Sequence, residues 1–178
     1  RFRPTPTSCL PRCRVGERWV VNASPLIALA RAGHADWLAA LCDEVVVPAA
    51  VRGEVLAGPL DAAAQALAGD SFAVVDTPAP SPALAGWDLG AGETAVLAWA
   101  ESRPGWTAVL DDRAARRCAA GLGVPVLGTL SVVARARLRG LTPSAADVLR
   151  VIRANGFRID DAVVAPFLLA AVGEEWSA

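Results

Sequence analysis

Short runs of β-branched residues alternate along this chain with longer stretches that are rich in alanine and leucine. The β-branched runs read VVN, EVVV, FAVV, TAVL and VPVL, and a helical stretch follows each of them. This alternation predicts a parallel sheet with helices on both of its faces. We therefore expect an α/β protein with three layers, α/β/α, around a central parallel sheet.

Proline positions indicate where the first helices begin. Ser24 before Pro25 predicts an N-cap followed by proline at the first helical position, so the first strand delivers Asn22 directly to a helix start. Pro48 follows the second strand in the same way. The helix that it begins would carry Glu54 about two turns further on, above the edge of the sheet.

A single domain is the default for 178 residues. We assign residues 15–178 to it, with closing helices at 144–155 and 160–171. Residues 1–14 are rich in arginine and proline and lack a hydrophobic period. We expect them to form a disordered basic tail, or to be a misassigned start.

Charge and composition narrow the class of function. The formal net charge is −1, which does not suit a protein that coats DNA. No apolar run is long enough to span a membrane, so a soluble, cytoplasmic protein without membrane partners is expected. The one histidine and four cysteines do not have the spacing of a closed zinc site.

Acidic residues stand where the predicted strands end or the following helices begin. They are Glu54, Glu93 and the pair Asp111-Asp112, with the amide Asn22 after the first strand. Carboxylates that converge from separate strand ends are typical of a site for a hard divalent cation. Taken singly, each acid also has a structural interpretation, as an exposed helix residue, a first-turn acid or an N-cap.

Three arginines lie on the helix that leaves the Asp pair. Arg113, Arg116 and Arg117 are three and four positions apart, so they share a face. Arginine suits a phosphate because its planar fork donates two hydrogen bonds at once. Phosphate binding and plain solvation of this face both stay open.

Four segments together resemble the successive motifs of PIN-domain proteins. They read VVNASPLIALARAG, VVVPAAVRGEVLAG, LGAGETAVLAWA and VLDDRAARRCAAGLGVPVLGT. The resemblance covers about residues 19–172. It is strongest to a prokaryotic branch that is related to VapC-type toxins and carries a GFRI-type segment before its last helix, as GFRIDDAVVAPFLLAAVGE does here.

The resemblance implies a catalytic set. The acids of the family fall, in order, on Asn22, Glu54, Glu93 and either Asp112 or Asp111. Asn22 replaces the usual first aspartate, and Thr129 stands near the position of a further acid. Ser24 would orient a water or the substrate, and Arg113, Arg116, Arg117 and Thr129 would contact the substrate.

The implied activity is hydrolysis of RNA phosphodiester bonds with Mg²⁺ or Mn²⁺ held by Glu54, Glu93 and Asp112. The family also implies a toxin that is neutralised by a cognate antitoxin protein, and pairing into a homodimer. The alternative is a PIN-like module that binds RNA or a partner and whose turnover is weakened by Asn22. A small-phosphate hydrolase is disfavoured, because neither a GxGxxG motif nor a Walker loop follows any strand.

Overall fold

The computed structural model describes residues 16–59, 61–69 and 71–177. The tail that we predict for residues 1–14 lies outside them. The strands are β1 Arg18–Val21, β2 Glu44–Pro48, β3 Ala73–Val75, β4 Trp106–Val109 and β5 Val126–Leu127. The helices are α1 Ala23–Arg31, α2 Trp37–Ala40, α3 Ala49–Ala57, α4 Ala62–Ala68, α5 Pro82–Ala85, α6 Ala91–Ser102, α7 Arg113–Leu122, α8 Thr129–Leu138, α9 Ala145–Ala154 and α10 Asp161–Val172.

The five strands of the described residues form one sheet in the order β3-β2-β1-β4-β5, and every pairing is parallel. Helices flank the sheet, so the predicted three-layer α/β/α fold is confirmed. Because all strands run in the same direction, their carboxyl ends lie at one edge. Val21 at the end of β1 pairs with Val109 at the end of β4. Residues that follow these two strands are therefore neighbours.

The core explains why the strands read as continuous apolar runs. β1 lies in the middle of the sheet, and Trp19, Val20 and Val21 are fully buried. Strands covered on both faces carry apolar side chains on both faces. Within the helical layers, α3 contacts α6 and α6 contacts α7, while α8 contacts α9 and α10.

Polar side chains hold both ends of the last helical pair. Ser144 caps α9 and Asp160 caps α10, which confirms the two helices predicted there. Glu174 reaches back to the start of α9, where it accepts hydrogen bonds from the backbone N–H groups of Ala145 and Ala146. It also accepts one from Ser144 Oγ and one from Arg137 Nε. These bonds tie the end of the described chain to α8 and α9.

The expected N-cap at Ser24 is wrong. Helix α1 begins at Ala23, its N-cap is Asn22, and Ser24 is an exposed residue of the first turn. The side chain of Asn22 makes no capping hydrogen bond. Asparagine is among the best N-cap residues because its side-chain oxygen can accept from the helix. A different contact therefore holds this side chain.

No helix in the described part of the chain is long and apolar enough to cross a membrane.

Candidate active site

The side chain of Asn22 points to helix α6 instead of capping α1. Its Nδ2 donates to Glu93 Oε1 at 3.0 Å, and the residue is only 2% exposed. Since the amide nitrogen faces the carboxylate, the amide oxygen must face away from it. That oxygen, Oδ1, is buried and has no hydrogen-bond partner among the described residues. A buried acceptor without a partner is uncommon in native proteins and calls for an explanation.

Two glutamates meet at the N-terminus of α6. Glu93 is the third residue of that helix, and Glu54 approaches from the second half of α3. The backbone N–H of Gly92 donates to Glu54 Oε1 at 2.8 Å. The first N–H groups of a helix have no partner within it and carry the positive end of its dipole. They stabilise the carboxylates that the fold brings here.

Gly92 provides the space in which these groups meet. A Cβ at residue 92 would lie 2.9 Å from Asn22 Oδ1 and would overlap Glu54 Oε2. Both oxygens therefore lie within 3 Å of one point, and both are hydrogen-bond acceptors. Two acceptors that face one point without a donor between them repel each other. We call Asn22, Glu54, Gly92 and Glu93 the amide cluster.

The amide cluster offers oxygen ligands to a hard cation. Two carboxylates and one unpartnered amide oxygen are the donor types that Mg²⁺ and Mn²⁺ prefer in proteins. The cluster fits such an ion, and a cation would also remove the repulsion between Asn22 Oδ1 and Glu54 Oε2. The described residues contain no group of three or more His, Cys, Asp or Glu that could hold a metal. The expected set of three carboxylates from Glu54, Glu93 and Asp112 is therefore not assembled in this structure.

Asp112 caps helix α7 and is not part of the amide cluster. It is the N-cap of α7, and its Oδ1 accepts from the backbone N–H of Ala115 at 2.8 Å. This was one of the two interpretations that the sequence left open. Its other oxygen, Oδ2, has no hydrogen-bond partner in the described part of the chain. The cap therefore uses one lone pair of the carboxylate and leaves the second oxygen to solvent.

Asp111 is engaged more fully than Asp112. Its Oδ2 accepts from Thr129 Oγ1 at 2.6 Å, and its Oδ1 accepts from the backbone N–H of Thr129 at 2.8 Å. Burial raises the pKa of Asp111 above its ordinary value of 3.8, although the Thr129 hydrogen bonds and the charge of Arg116 act in the opposite direction. Thr129 is fully buried. Asp111 thus fixes the start of α8, and the Thr129 hydroxyl is used in doing so.

Gly128 leaves room for Asp111 and Arg116 to come close to the start of α8. A Cβ at Gly128 would lie 2.8 Å from Arg116 Nη1 and 3.0 Å from Asp111 Oδ1. Arg116 Nη1 donates to the carbonyl of Leu110 at 3.2 Å, so the guanidinium is held at the end of β4. An arginine that is anchored in this way beside a cleft is oriented for an anionic ligand.

Two cavities flank the site. The first has a volume of about 350 Å³, and its lining includes Asn22, Ser24, Glu93, Asn155 and Phe157. We call it the amide cavity. Ser24 is exposed there, so the structure brings this predicted substrate residue beside Asn22.

The second cavity, of about 430 Å³, lies at the ends of α7 and α8 and at the 157–160 segment. Three of its lining residues are arginines, Arg113, Arg116 and Arg158, and we call it the arginine cavity. Arg113 and Arg116 were expected on the substrate side, and both line it. Arg117 lines neither cavity and is exposed on α7.

Sequence reasoning missed Gly92, Phe157 and Arg158. The GAGE sequence carried a signal for Gly92, because a glycine next to a first-turn acid lets other groups come close. Phe157 and Arg158 belong to the GFRI segment. That segment identified a branch of the family, but its residues were not assigned to the site.

One family model and one solved structure are similar to this chain. A family model whose description reads "DUF3368: PIN domain" matches residues 18–173. The crystal structure of PAE2754 from Pyrobaculum aerophilum is similar, with 19% sequence identity and a TM-score of 0.48 over 77% of this chain and 99% of that chain. No curated protein matches this chain significantly.

Proposed function

This chain belongs to the PIN-domain family, and from that premise we propose that it is a metal-dependent endoribonuclease that hydrolyses RNA phosphodiester bonds. The family has a nuclease-type fold, and PIN domains generally use divalent metal ions. The observation that carries the proposal is the convergence of Asn22 Oδ1 and the Glu54 carboxylate at Gly92, with Glu93 bound to the same amide. Mg²⁺ or Mn²⁺ fits this set of ligands.

Each residue of the amide cluster has a role in the proposal. Glu93 fixes the Asn22 amide so that its oxygen faces the ion site, while Glu54 is held by the N–H of Gly92. Asp112, which this structure does not bring into the amide cluster, would contribute its free Oδ2 when the ion binds, and Asp111 fixes the start of α8 through Thr129. A divalent ion bound there would supply an activated water and offset the charge of the phosphodiester.

The direct test is cleavage of a fluorescent single-stranded RNA by the purified protein in Mn²⁺ or Mg²⁺. We expect cleavage that EDTA abolishes and that Glu93→Gln reduces by at least about 100-fold, because the variant loses a ligand and weakens the grip on Asn22. Glu44→Gln is the matched control. It makes the same change of charge at an exposed residue that begins β2, away from the carboxyl edge.

Asn22→Asp is the complementary variant. It adds a carboxylate where an amide oxygen now has no partner, so it should raise metal affinity and cleavage. It also brings a like charge next to Glu93, so it should lower stability when no metal is present. An absence of cleavage by both the wild type and Asn22→Asp would contradict the nuclease proposal.

That outcome would favour a second candidate, a PIN-like module that binds RNA or a protein without turnover. The observation behind it is the low charge of the site. Asn22 is an uncharged amide, and both carboxylate oxygens of Asp111 accept hydrogen bonds from Thr129. RNA binding by filter retention without metal-dependent cleavage would support this candidate.

We also propose a cellular role as a toxin whose antitoxin inserts a basic segment beside Glu54 and Glu93. The support is the family resemblance and the acidic cluster. Expression from an inducible promoter should arrest growth of a bacterial host, and Glu93→Gln should relieve the arrest.

A homodimer through α10 is proposed as well, because Val163 and Leu169 are 48% and 61% exposed on it. Light scattering of the wild type and Leu169→Glu tests that pairing.

A further inference from the structure

Phe157 lies where the two cavities meet. Phe157 lines the amide cavity together with Asn22 and Glu93, and it also lines the arginine cavity together with Arg116. The residue is half-buried and packs against the core, so part of it stays accessible. An aromatic ring at the wall of a polar cleft offers a flat apolar surface to a planar ligand.

The backbone around Phe157 is held on several sides. Gly156 has a φ of +91°, which turns the chain sharply after α9, and the N–H of Phe157 donates to the carbonyl of Ile152 at 3.2 Å. Asn155 Nδ2 donates to the carbonyl of Arg31 at 2.9 Å, which ties the turn to α1. On the far side, Arg153 donates to the carbonyl of Ile159. The backbone that carries the ring is therefore held in place.

The two cavities differ in chemistry. Apart from Asn22 and Glu93, the amide cavity combines apolar groups such as Ile27 with amide and hydroxyl groups that can recognise a base edge. Its one arginine among the described residues, Arg31, is paired with Asp61. The arginine cavity contains three cations against Asp111 and Asp160. Asp111 is bonded to Thr129, and Asp160 caps α10.

Two of the three arginines are available to a ligand. Arg113 and Arg158 are exposed and have no ion-pair partner among the described residues. A guanidinium without a partner is suited to phosphate oxygens. The amide cavity thus has the character of a base site, and the arginine cavity that of a backbone site.

We propose that Phe157 is a substrate-positioning residue that stacks on one base of a single-stranded RNA. The base enters the amide cavity, and an adjacent phosphate lies against Arg113 and Arg158 in the arginine cavity. The inference rests on the proposed function, because it identifies the strand that the amide cluster would cleave. Single-stranded nucleic acids are commonly bound in this manner, by aromatic stacking beside a basic groove.

The test uses short single-stranded oligouridylates that carry 2-aminopurine at successive positions, whose fluorescence falls when the base stacks. Titration in EDTA measures binding without cleavage. We expect quenching at one position for the wild type. Phe157→Leu should weaken binding by about 5- to 150-fold and abolish the quenching, whereas Phe157→Trp should keep both. Arg113→Gln and Arg158→Gln should each lower the slope of log affinity against log salt by about one.

Phe72→Leu is the matched control, because it makes the same change at a buried phenylalanine that lines neither cavity. It should lose stability but keep the affinity and the quenching. Equal affinity and quenching for Phe157→Leu and the wild type would overturn the inference. Cleavage by the wild type in Mn²⁺ with no quenched position would overturn it alone. Neither binding nor cleavage by the wild type would overturn the proposed function with it.

Discussion

Gly92→Ala should separate the stability of this protein from the assembly of its site. The new methyl group would overlap Glu54 Oε2 and lie 2.9 Å from Asn22 Oδ1. Glu54 is exposed and its carboxylate is the far end of a flexible side chain, so it can swing away into solvent. Asn22 is buried and bound to Glu93, so it has less freedom to move. The substitution therefore expels Glu54 first.

The expected change in stability is small because two terms oppose each other. Alanine is favoured over glycine in a helix by about 0.8–1 kcal/mol. Losing the hydrogen bond from Gly92 N–H to the exposed Glu54 carboxylate should destabilise by about 0.5–1.5 kcal/mol. The free energy of unfolding should thus stay within about 1 kcal/mol of the wild type. Metal affinity should fall by at least about tenfold, because one carboxylate leaves the amide cluster.

Urea denaturation and calorimetric titration with Mn²⁺ measure the two effects. Gly53→Ala is the matched control, since it lies next to Glu54 on α3 and a Cβ there meets nothing within 4 Å. The control should gain about 0.8–1 kcal/mol of stability and keep its metal affinity. A Gly92→Ala protein that gains as much stability as the control, and that binds Mn²⁺ like the wild type, would refute the convergence at Gly92.

Two further predictions concern carboxylates outside the amide cluster. Burial raises the pKa of Glu174, but its hydrogen bonds at the start of α9 outweigh this effect and lower the pKa below 4.5. The carboxylate therefore stabilises the fold above pH 4.5, and this stabilisation is lost as the pH falls through the lowered pKa. Glu174→Gln should therefore lower the free energy of unfolding by about 1.5–3 kcal/mol at pH 7, and this difference from the wild type should disappear in acid. A difference in unfolding free energy that stays constant from pH 7 to pH 3 would count against the prediction. Asp112→Ala should lose about 1 kcal/mol with its N-cap, whereas Asp112→Asn should keep the stability and lower only metal-dependent cleavage. Equal melting temperatures for the two Asp112 variants would contradict the capping role.

The fold was predictable because its signals are local. Each parallel strand is an apolar run that burial on both faces requires, and capping residues such as Ser144 and Asp160 mark the ends of helices. The error at Ser24 has a physical reason. Asn22 can cap a helix as well as serine can, and the sequence pattern does not reveal that α1 starts two residues earlier.

The site was less predictable because its contacts are distant in sequence. Asn22 and Glu93 are 71 residues apart, and their hydrogen bond depends on where α6 meets the end of β1. The sequence indicated which acids stand near the edge of the sheet. It did not separate the two glutamates at Gly92 from Asp111, which turns to Thr129, because that choice depends on the positions of side chains in the packed fold.

The order of the strands also determines when, during folding, a newly made molecule becomes able to bind its metal ion. β1 is the earliest strand of the described chain, yet it must wait for β4 before its second edge is paired. Contacts between distant segments close slowly, because the entropy lost in ordering the intervening chain comes before the contacts form. Helix α6, which carries Glu93, packs against β4 as well as against β1, so its place beside Asn22 is complete only when β4 has docked. During refolding, recovery of helical signal should therefore precede recovery of metal binding. A nascent chain should lack metal-dependent activity until β4 has paired with β1.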